Sequence, residues 1–544
     1  MPIAENISPQ EEKGDFSLIK IILALFGIIA VRMFLDNLIY PSTGGYFLST
    51  ERFVQEPLYF FSVFSSFSIL IYVFTKSSFN SIFSFLIKTF LFILLIPVID
   101  LFLNGQVTDA TQYLYIETSA FLATFFKIIN PFSGQGITVG QHIGAFFIFI
   151  CIAWFVYKKT SNVWKSLISL LSSYVILFFY AILPSIISLF NTKPVSLDPI
   201  IHEAANTPVI ETYYFILKQS WLMNVAKNSS TFIINMDSLH EILMSYVFWI
   251  LLVIQIGVML FIASKRLWNV FQNNFPIARI FYWFIIAAIG IILNYKLFGS
   301  INLQNPVNFL AITVFFILGV PNLWLAVLVN DAEDIEIDKI SNPDRPLVKK
   351  EVSKQEWRTM QIILLLLIAF GTMTMSRATG FSLIIAQSIY YIYSAKPLRL
   401  KKHFLSSSLL IGIASVSVAM SSFFLVSPDQ HVSAFPVNAI LIIGIAYAIL
   451  SNLKDIKDYE GDKKENIRTL PVVFGLEKSK YIIAALCSLV SIAVPLILEL
   501  RSMLLVSICT SLFLFFLFTR KNYQEKYIFL VIFVYIITLF LMII

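Results

Sequence analysis

Runs of about 18 or more apolar residues recur from residue 17 to the last residue, and each is long enough to cross roughly 30 Å of hydrocarbon as an α-helix. This pattern dictates an all-α polytopic membrane protein. Composition agrees, with 58% of the 544 residues hydrophobic and 13% charged, about half the charged share of an ordinary soluble domain. Spans are expected near residues 17–35, 57–75, 80–102, 135–157, 163–190 and 241–264. A second series is expected near 278–296, 306–329, 359–375, 379–394, 404–426, 436–452, 481–499, 502–519 and 526–544. About six helices therefore precede about nine, dividing the chain into an N-terminal transmembrane domain, 1–264, and a second domain, 265–544. The polar start, MPIAENISPQEEKGD, lacks a basic n-region and a small-residue cleavage site, so the first run is expected to remain as an anchor.

The loops of the second series alternate sharply in charge. One set carries Lys339, Arg345, Lys349, Lys350, Lys354 and Arg358, then Lys396, Arg399, Lys401 and Lys402, then Lys454, Lys457, Lys463, Lys464 and Arg468. The opposite set offers Lys296, Arg377 and Arg501. By the positive-inside rule the first set is cytoplasmic, and counting back places the N-terminus inside as well. The chain is thus expected to be a multi-pass cell-membrane protein. Its net charge of +7 reads as an orientation and lipid-surface signal and gives no support for nucleic-acid binding. Cys151, Cys487 and Cys509 all lie inside apolar runs, so neither a disulfide framework nor a thiolate metal site is readable.

Two basic loops also hold clustered carboxylates. The first reads Asn330-Asp331-Ala332-Glu333-Asp334-Ile335-Glu336-Ile337-Asp338, directly after an apolar run and followed by Lys339 and Arg345. If the helix continues, Asn330, Asp334 and Asp338 recur every four residues and share a face. The second reads Asp455-Ile456-Lys457-Asp458-Tyr459-Glu460-Gly461-Asp462, in which Asp455, Asp458 and Asp462 form an i, i+3, i+7 stripe. A single acidic run in such a loop is ordinarily a solvated helix end. Two runs at helical spacing, each ending a long apolar helix and each accompanied by bases, argue for a site. Facing carboxylate stripes repel unless cations lie between them, and hard oxygen ligands suit Mg²⁺. A di- or triphosphate bridged by Mg²⁺ and contacted by Lys and Arg is the natural occupant.

The strings NDAEDIEIDKISNPDRP and DIKDYEGDKKENIRTLPVVFG resemble the two aspartate-rich signatures of the UbiA superfamily of intramembrane prenyltransferases, NDxxDxxxD with a trailing NPxRP, and DxxxD in a DxxDxxGD form. The stretch Tyr393-Ser394-Ala395-Lys396-Pro397-Leu398-Arg399-Leu400-Lys401 is similar to the loop between them. The resemblance covers about residues 265–544 and implies a nine-helix fold. It further implies a Mg²⁺-dependent transfer of an isoprenyl chain from a prenyl diphosphate to a hydrophobic acceptor, with release of pyrophosphate. Asn330, Asp334, Asp338, Asp455, Asp458 and Asp462 would hold Mg²⁺, and Asp331, Asp334, Asp338, Asp458 and Asp462 would be the catalytic acids. Arg345, Tyr393, Lys396, Arg399, Lys401 and Lys454 would bind the diphosphate. Where the family often shows YxxxK, Pro397 stands four residues after Tyr393, leaving Lys396, Arg399 and Lys401 as alternative phosphate contacts. The strings look like those of archaeal digeranylgeranylglyceryl phosphate synthases, and chlorophyll-synthase-type members share the EGD and TLPVVFG features, so both a lipid-type and an aromatic acceptor fit. A transporter or scaffold with a non-catalytic UbiA-like half is the alternative, but the second series has few mid-helix charges for an ion pathway.

Residues 1–264 resemble no family. Arg32 and Asp36, at i, i+4, read as a helix-edge ion pair. His142 reads as a capping or packing histidine, and His202-Glu203 and His240-Glu241 lack the HExxH spacing of a zinc protease.

Overall fold

The computed structural model describes residues 18–39, 50–104, 113–114, 116, 120–130, 137–189, 217, 220, 236–299, 301, 303–464, 467–497, 500–520 and 524–543. His202 and Glu203 lie outside these residues. Among the described residues the secondary structure is helical, apart from one isolated parallel bridge between His403 and Arg468. Thirteen of these helices are long and apolar enough to cross a bilayer. The chain divides into two compact units, Met1–Phe215 with Leu251–Ala263, and Ile216–Ile250 with Ser264–Ile544.

The first unit contains α1 (Leu18–Ile39), α2 (Thr50–Thr75), α3 (Phe79–Phe90), α4 (Leu95–Asn104), α5 (Phe121–Lys127), α6 (Val139–Thr160), α7 (Val163–Ala181), α8 (Leu183–Ser188) and the end of α9 (Met236–Ala263). A 3₁₀ turn, Leu91–Leu94, joins α3 to α4, so the two continue one span, Phe79–Leu103. With it, the expected six spans are present. Polar side chains in this apolar setting pair internally, because lipid offers them nothing. Arg32 Nε bonds Asp36 Oδ2 at 2.8 Å and Arg32 Nη1 bonds the Ile93 carbonyl at 2.6 Å. Asp100 accepts from Thr138 Oγ1 at 2.5 Å and from the Gly140 amide at 2.6 Å, tying the start of α6 to α4. His142 sets its ring nitrogens 2.9 and 2.8 Å from the carbonyls of Thr138 and Ile128, the packing role expected of it. An aromatic-walled cavity of ≈170 Å³ has Arg32, Gln141, His142 and Tyr174 on its wall, and each of them bonds a protein partner.

The second unit comprises the earlier part of α9, then α10 (Lys265–Asn273), α11 (Ile277–Phe298), α12 (Pro306–Glu333), α13 (Ile335–Ser341), α14 (Lys354–Met373) and α15 (Arg377–Ser394). It continues with α16 (Phe404–Val426), α17 (Val437–Leu450), α18 (Asn452–Lys464), α19 (Leu470–Phe474), α20 (Leu476–Ile497), α21 (Leu504–Thr519) and α22 (Glu525–Ile543). Of the nine expected spans, α11, α12, α14, α16, the α17–α18 pair, α20 and α21 are among the thirteen long apolar helices, while α15 and the shorter apolar α22 are helical at the expected positions but outside that set. Small residues let these helices approach closely. At Gly290 of α11 a Cβ would meet the Ala419 carbonyl and Ser422 Oγ of α16. At Gly412 of α16 it would meet the Gly444 carbonyl of α17. In α9, Trp249 is fully buried and donates from Nε1 to the Leu367 carbonyl of α14 at 2.9 Å.

Caps explain where several helices begin. Asn305 accepts from the amides of Val307 and Asn308 before Pro306 opens α12, the position where a missing amide proton is harmless. Ser353 and Glu356 form a reciprocal capping box at α14. The last turn of α12 is carboxylate-rich, the last turn of α18 carries Lys463 and Lys464, and α13 packs against α18, which brings the two acidic runs of the sequence to one end of the unit.

Candidate functional site

The first acidic run does not continue α12 as one unbroken helix. Asp334 has left helical geometry at φ −104°, ψ 15°, and serves both as the C-cap of α12 and as the residue before α13. The departure is small, so Asn330, Asp334 and Asp338 still lie on one side. Asp331, Asp334 and Asp338 are all buried, at 2%, 7% and 5% exposure. Buried carboxylates require partners, and the partners found differ among the three.

Asp331 faces Arg345. Its Oδ2 accepts from Arg345 Nη1 at 3.0 Å and from Asn274 Nδ2 at 3.1 Å, while Asn274 Oδ1 accepts from the same Arg345 nitrogen at 2.7 Å. Asn274 follows α10, a short amphipathic helix whose Phe271 packs between Trp324 and Trp357. Asp334 instead faces the loop after α15: Arg399 Nη2 donates to its Oδ1 at 2.6 Å and Lys401 donates to Oδ2. Lys401 also reaches Asn330 Oδ1 at 3.0 Å, as does Ser394 Oγ at 3.2 Å. Lys396 lies on the rim, its ammonium 3.5 Å from Glu333. Asp338 bonds Asn342 at 3.1 Å.

Burial pushes the Asp334 carboxyl up, but the Lys401 ammonium and Arg399 guanidinium outweigh it and hold the group below the usual carboxylate range. Asp338 has no ion pair among the described residues, and burial holds it above that range against the Asn342 hydrogen bond and the attraction of Arg345. Burial also holds the Lys401 ammonium below its usual value, against the attraction of Asp334.

The loop carrying these bases is itself constrained. Arg399 sits in the left-handed region at φ 40°, a conformation that costs a non-glycine residue on the order of 1 kcal/mol, and its Nε is buried with no hydrogen-bond partner. The Arg468 amide donates to the Lys402 carbonyl at 3.0 Å, binding the loop to the segment after α18.

In α18 the second acidic run presents Asp455, Asp458 and Asp462 at the expected spacing. Lys454 approaches Asp458 at 3.7 Å. Lys401 lies within electrostatic range of both Asp334 and Asp462, and Arg279 within range of both Asp331 and Asp458, so the two runs border a common region. Beneath it lies a chamber of ≈290 Å³ whose polar mouth holds Asn330, Tyr393, Lys454 and Arg279, and whose body is apolar and aromatic. An apolar cavity of ≈200 Å³ shares Tyr447, Leu450, Ile532 and Ile536 with it.

The donor set fits a cation. Asp331 Oδ1 and Asp338 Oδ2 are buried oxygens with no hydrogen-bond partner. Among the described residues no three carboxylate, histidine or cysteine side chains converge on one point. This suits Mg²⁺, which usually takes one or two protein carboxylates and completes its shell with substrate phosphates and water. Arg279 and Asn274 were not expected from the sequence. Each stands in or beside a polar linker, where a lone Arg or Asn next to an apolar run reads as an ordinary membrane-flanking residue.

The UbiA prenyltransferase family matches residues 283–537, and the N-terminal half matches no family. Digeranylgeranylglyceryl phosphate synthase of Methanocaldococcus jannaschii is 31% identical over 239 residues, which are 42% of this chain and 79% of that protein. Chloroplastic chlorophyll synthase of Arabidopsis thaliana is 31% identical over 166 residues, 28% of this chain and 41% of that protein. A solved UbiA homolog from Archaeoglobus fulgidus bound to DMAPP and Mg²⁺ has 17% identity and a TM-score of 0.38, covering 49% of this chain and 96% of its own. From the family match and the extent of the archaeal relative, the chain belongs to the UbiA prenyltransferase family and is a membrane prenyltransferase.

Proposed function

We propose that residues 265–544 form the transferase domain, that it takes a prenyl diphosphate with Mg²⁺, and that it transfers the isoprenyl chain to a lipid-type acceptor. The observation that carries this reading is that the two acidic runs border a common region beside an apolar chamber, while the first run and the loop of bases keep buried atoms, Asp331 Oδ1, Asp338 Oδ2 and Arg399 Nε, without hydrogen-bond partners. A metal-bridged diphosphate satisfies both kinds of orphan. The lipid-type acceptor is supported by the motif strings and by the name of the archaeal relative. The Lys- and Arg-rich loops support a cytoplasmic face for the site.

Asn330, Asp334, Asp338, Asp455, Asp458 and Asp462 would hold Mg²⁺, with Asp331 behind them. When bound, the metal neutralises diphosphate charge and so favours departure of pyrophosphate. The protein groups act on the same charge. Arg399, Lys401, Lys396 and Lys454 are directed at the region where negative charge collects as the allylic C1–O bond breaks and its electron pair passes to the diphosphate oxygen. The acceptor nucleophile then bonds C1 and gives up its proton. The apolar chamber receives the isoprenoid chain and keeps water from the electron-deficient C1, with Tyr393 at its mouth. The experiment is turnover of labelled geranylgeranyl diphosphate by the full chain in nanodiscs with Mg²⁺ and a membrane-lipid extract, with products read by mass spectrometry. Asp334→Ala and Asp458→Ala should each abolish pyrophosphate release. Undiminished release in both would remove the assignment of the two acidic runs.

A further inference from the structure

The first unit encloses a cavity of its own, and the polar groups on its wall are unequally used. Arg32 of α1 is more than nine-tenths buried within a membrane-spanning helix, a position at which charge ordinarily marks a site. Its Nε and Nη1 are taken by Asp36 and the Ile93 carbonyl, while Nη2 bonds nothing among the described residues. Gln141, in the first turn of α6, spends its carbonyl oxygen on the Thr138 amide at 2.9 Å, and its amide nitrogen has no partner among the described residues. Both side chains line the cavity. By contrast, His142 is engaged at both ring nitrogens, and the Tyr174 hydroxyl donates to the Phe125 carbonyl. The hydrogen-bonding capacity that Arg32 and Gln141 leave over is therefore all donor.

Charge, hydrogen bonding and shape narrow the occupant. The Arg32 charge already has its counter-ion in Asp36 at 2.8 Å, so an anion would set a second negative charge against a balanced buried pair. An alcohol or amine would bring a hydrogen for which Arg32 and Gln141 offer no acceptor, whereas a carbonyl oxygen only accepts. The rest of the wall is apolar and rich in rings, among them Tyr59, Phe60, Phe67, Phe149, Tyr174 and Phe178. Phe149 stands edge-on to both Phe67 and Tyr174, at centroid distances of 6.4 Å, an arrangement that an aromatic guest extends. The volume of ≈170 Å³ is close to the roughly 150 Å³ in which an apolar protein cavity holds benzene, so it suits a single ring or two fused rings. We propose that the N-terminal unit binds a neutral, ring-bearing carbonyl compound in this cavity, its oxygen accepting from Arg32 and Gln141 and its ring lying among the aromatic side chains. The proposal is independent of the prenyl diphosphate reading, since every residue lining the cavity belongs to the first unit.

The full chain in nanodiscs is titrated with a fluorinated indanone and, separately, with the matching fluorinated indane, which has the same rings without the oxygen. Binding is read from the fluorine NMR signal, with empty nanodiscs subtracted. The ketone should saturate a single site about tenfold more tightly than the hydrocarbon, the difference that hydrogen bonds to a charged or amide donor supply. Gln141→Glu keeps the side-chain oxygen of the α6 capping box and removes the spare N–H groups. It should weaken the ketone about tenfold and leave the hydrocarbon unchanged, whereas a merely structural role for Gln141 would move both together. Should Gln141→Glu fail to fold, judged by its unfolding midpoint, Ala145→Leu serves instead: it fills the cavity from a half-buried wall position and should abolish saturable binding of both compounds. Equal binding of the two compounds, a change below twofold for the ketone in Gln141→Glu, or binding that survives Ala145→Leu overturns the assignment. So does tighter binding of a fluorinated indane carboxylate, which would make the cavity an anion site, or the absence of saturable binding, which would leave it to water.

Discussion

Removing Asp331 and Arg345 together should damage the fold less than the sum of the two single removals. Asp331 is 2% exposed at its side chain and Arg345 26%, and the pair is braced by Asn274 through bonds of 2.7 and 3.1 Å. Breaking one member of a buried pair leaves the other charge uncompensated, at about 3–5 kcal/mol. The partial exposure of Arg345 places this pair at the lower end, about 3 kcal/mol for Asp331→Asn or Arg345→Gln. In the double variant two neutral amides can bond each other and Asn274, so the coupling energy should be about 2 kcal/mol. Asn274→Ala, which loses two hydrogen bonds but no charge, should cost about 1–2 kcal/mol. Unfolding in mixed micelles, followed by tryptophan fluorescence as denaturing detergent is raised, measures all four variants. Single-variant costs below about 0.5 kcal/mol, or strictly additive costs in the double variant, would refute this account of Asp331 and return Arg345 to the diphosphate-binding role.

Three further outcomes follow from the same geometry. Asp334 is depressed by Lys401 and Arg399, so its ion pairs stabilise the fold above the ordinary carboxylate range and are lost as pH falls through the depressed value; the stability gap between the unaltered protein and Asp334→Asn should close only in acid. Asp338 is raised by burial, so its ionised form opposes folding and stability falls as pH rises through its pKa. Asp338→Asn should therefore unfold later than the unaltered protein at neutral pH while losing turnover, and a less stable variant would contradict the burial argument. Gly290→Leu should prevent α11 from seating on α16, because the added Cβ meets the Ala419 carbonyl, at a cost of about 3 kcal/mol or more; an unchanged unfolding midpoint would show that the helices separate freely.

The spans were legible because bilayer thickness converts directly into run length, and α15 shows the method at its edge. Arg377–Ser394 is only 18 residues with Ser, Thr and Gln along it and is not among the thirteen long apolar helices, yet the alternation of loop charge agrees with a crossing there. The acidic motifs were legible because charge is scarce in the chain. Their internal division of labour was not. Spacing put Asn330, Asp334 and Asp338 together, but only side-chain placement reveals that Asp331 is committed to Arg345 and Asp334 to Arg399 and Lys401. Arg279 and Asn274 escaped for a physical reason: their significance lies in which partners they have or lack in space, and no periodicity encodes that. In the first half, Arg32 and Asp36 form the ion pair that i, i+4 spacing foretold.

The backbone tie between Lys402 and Arg468 joins the loop of bases to the chain just beyond the second acidic helix. The two segments lie far apart in sequence but are stitched by their main chains, and side-chain substitution leaves a main-chain stitch in place. The Ile467 amide donates in turn to the Asp462 carbonyl at 2.9 Å, so the loop of bases and the end of the acidic helix are linked through the main chain. The spacing between the cations of one segment and the carboxylates of the other is thereby set by main-chain bonds as well as by side chains.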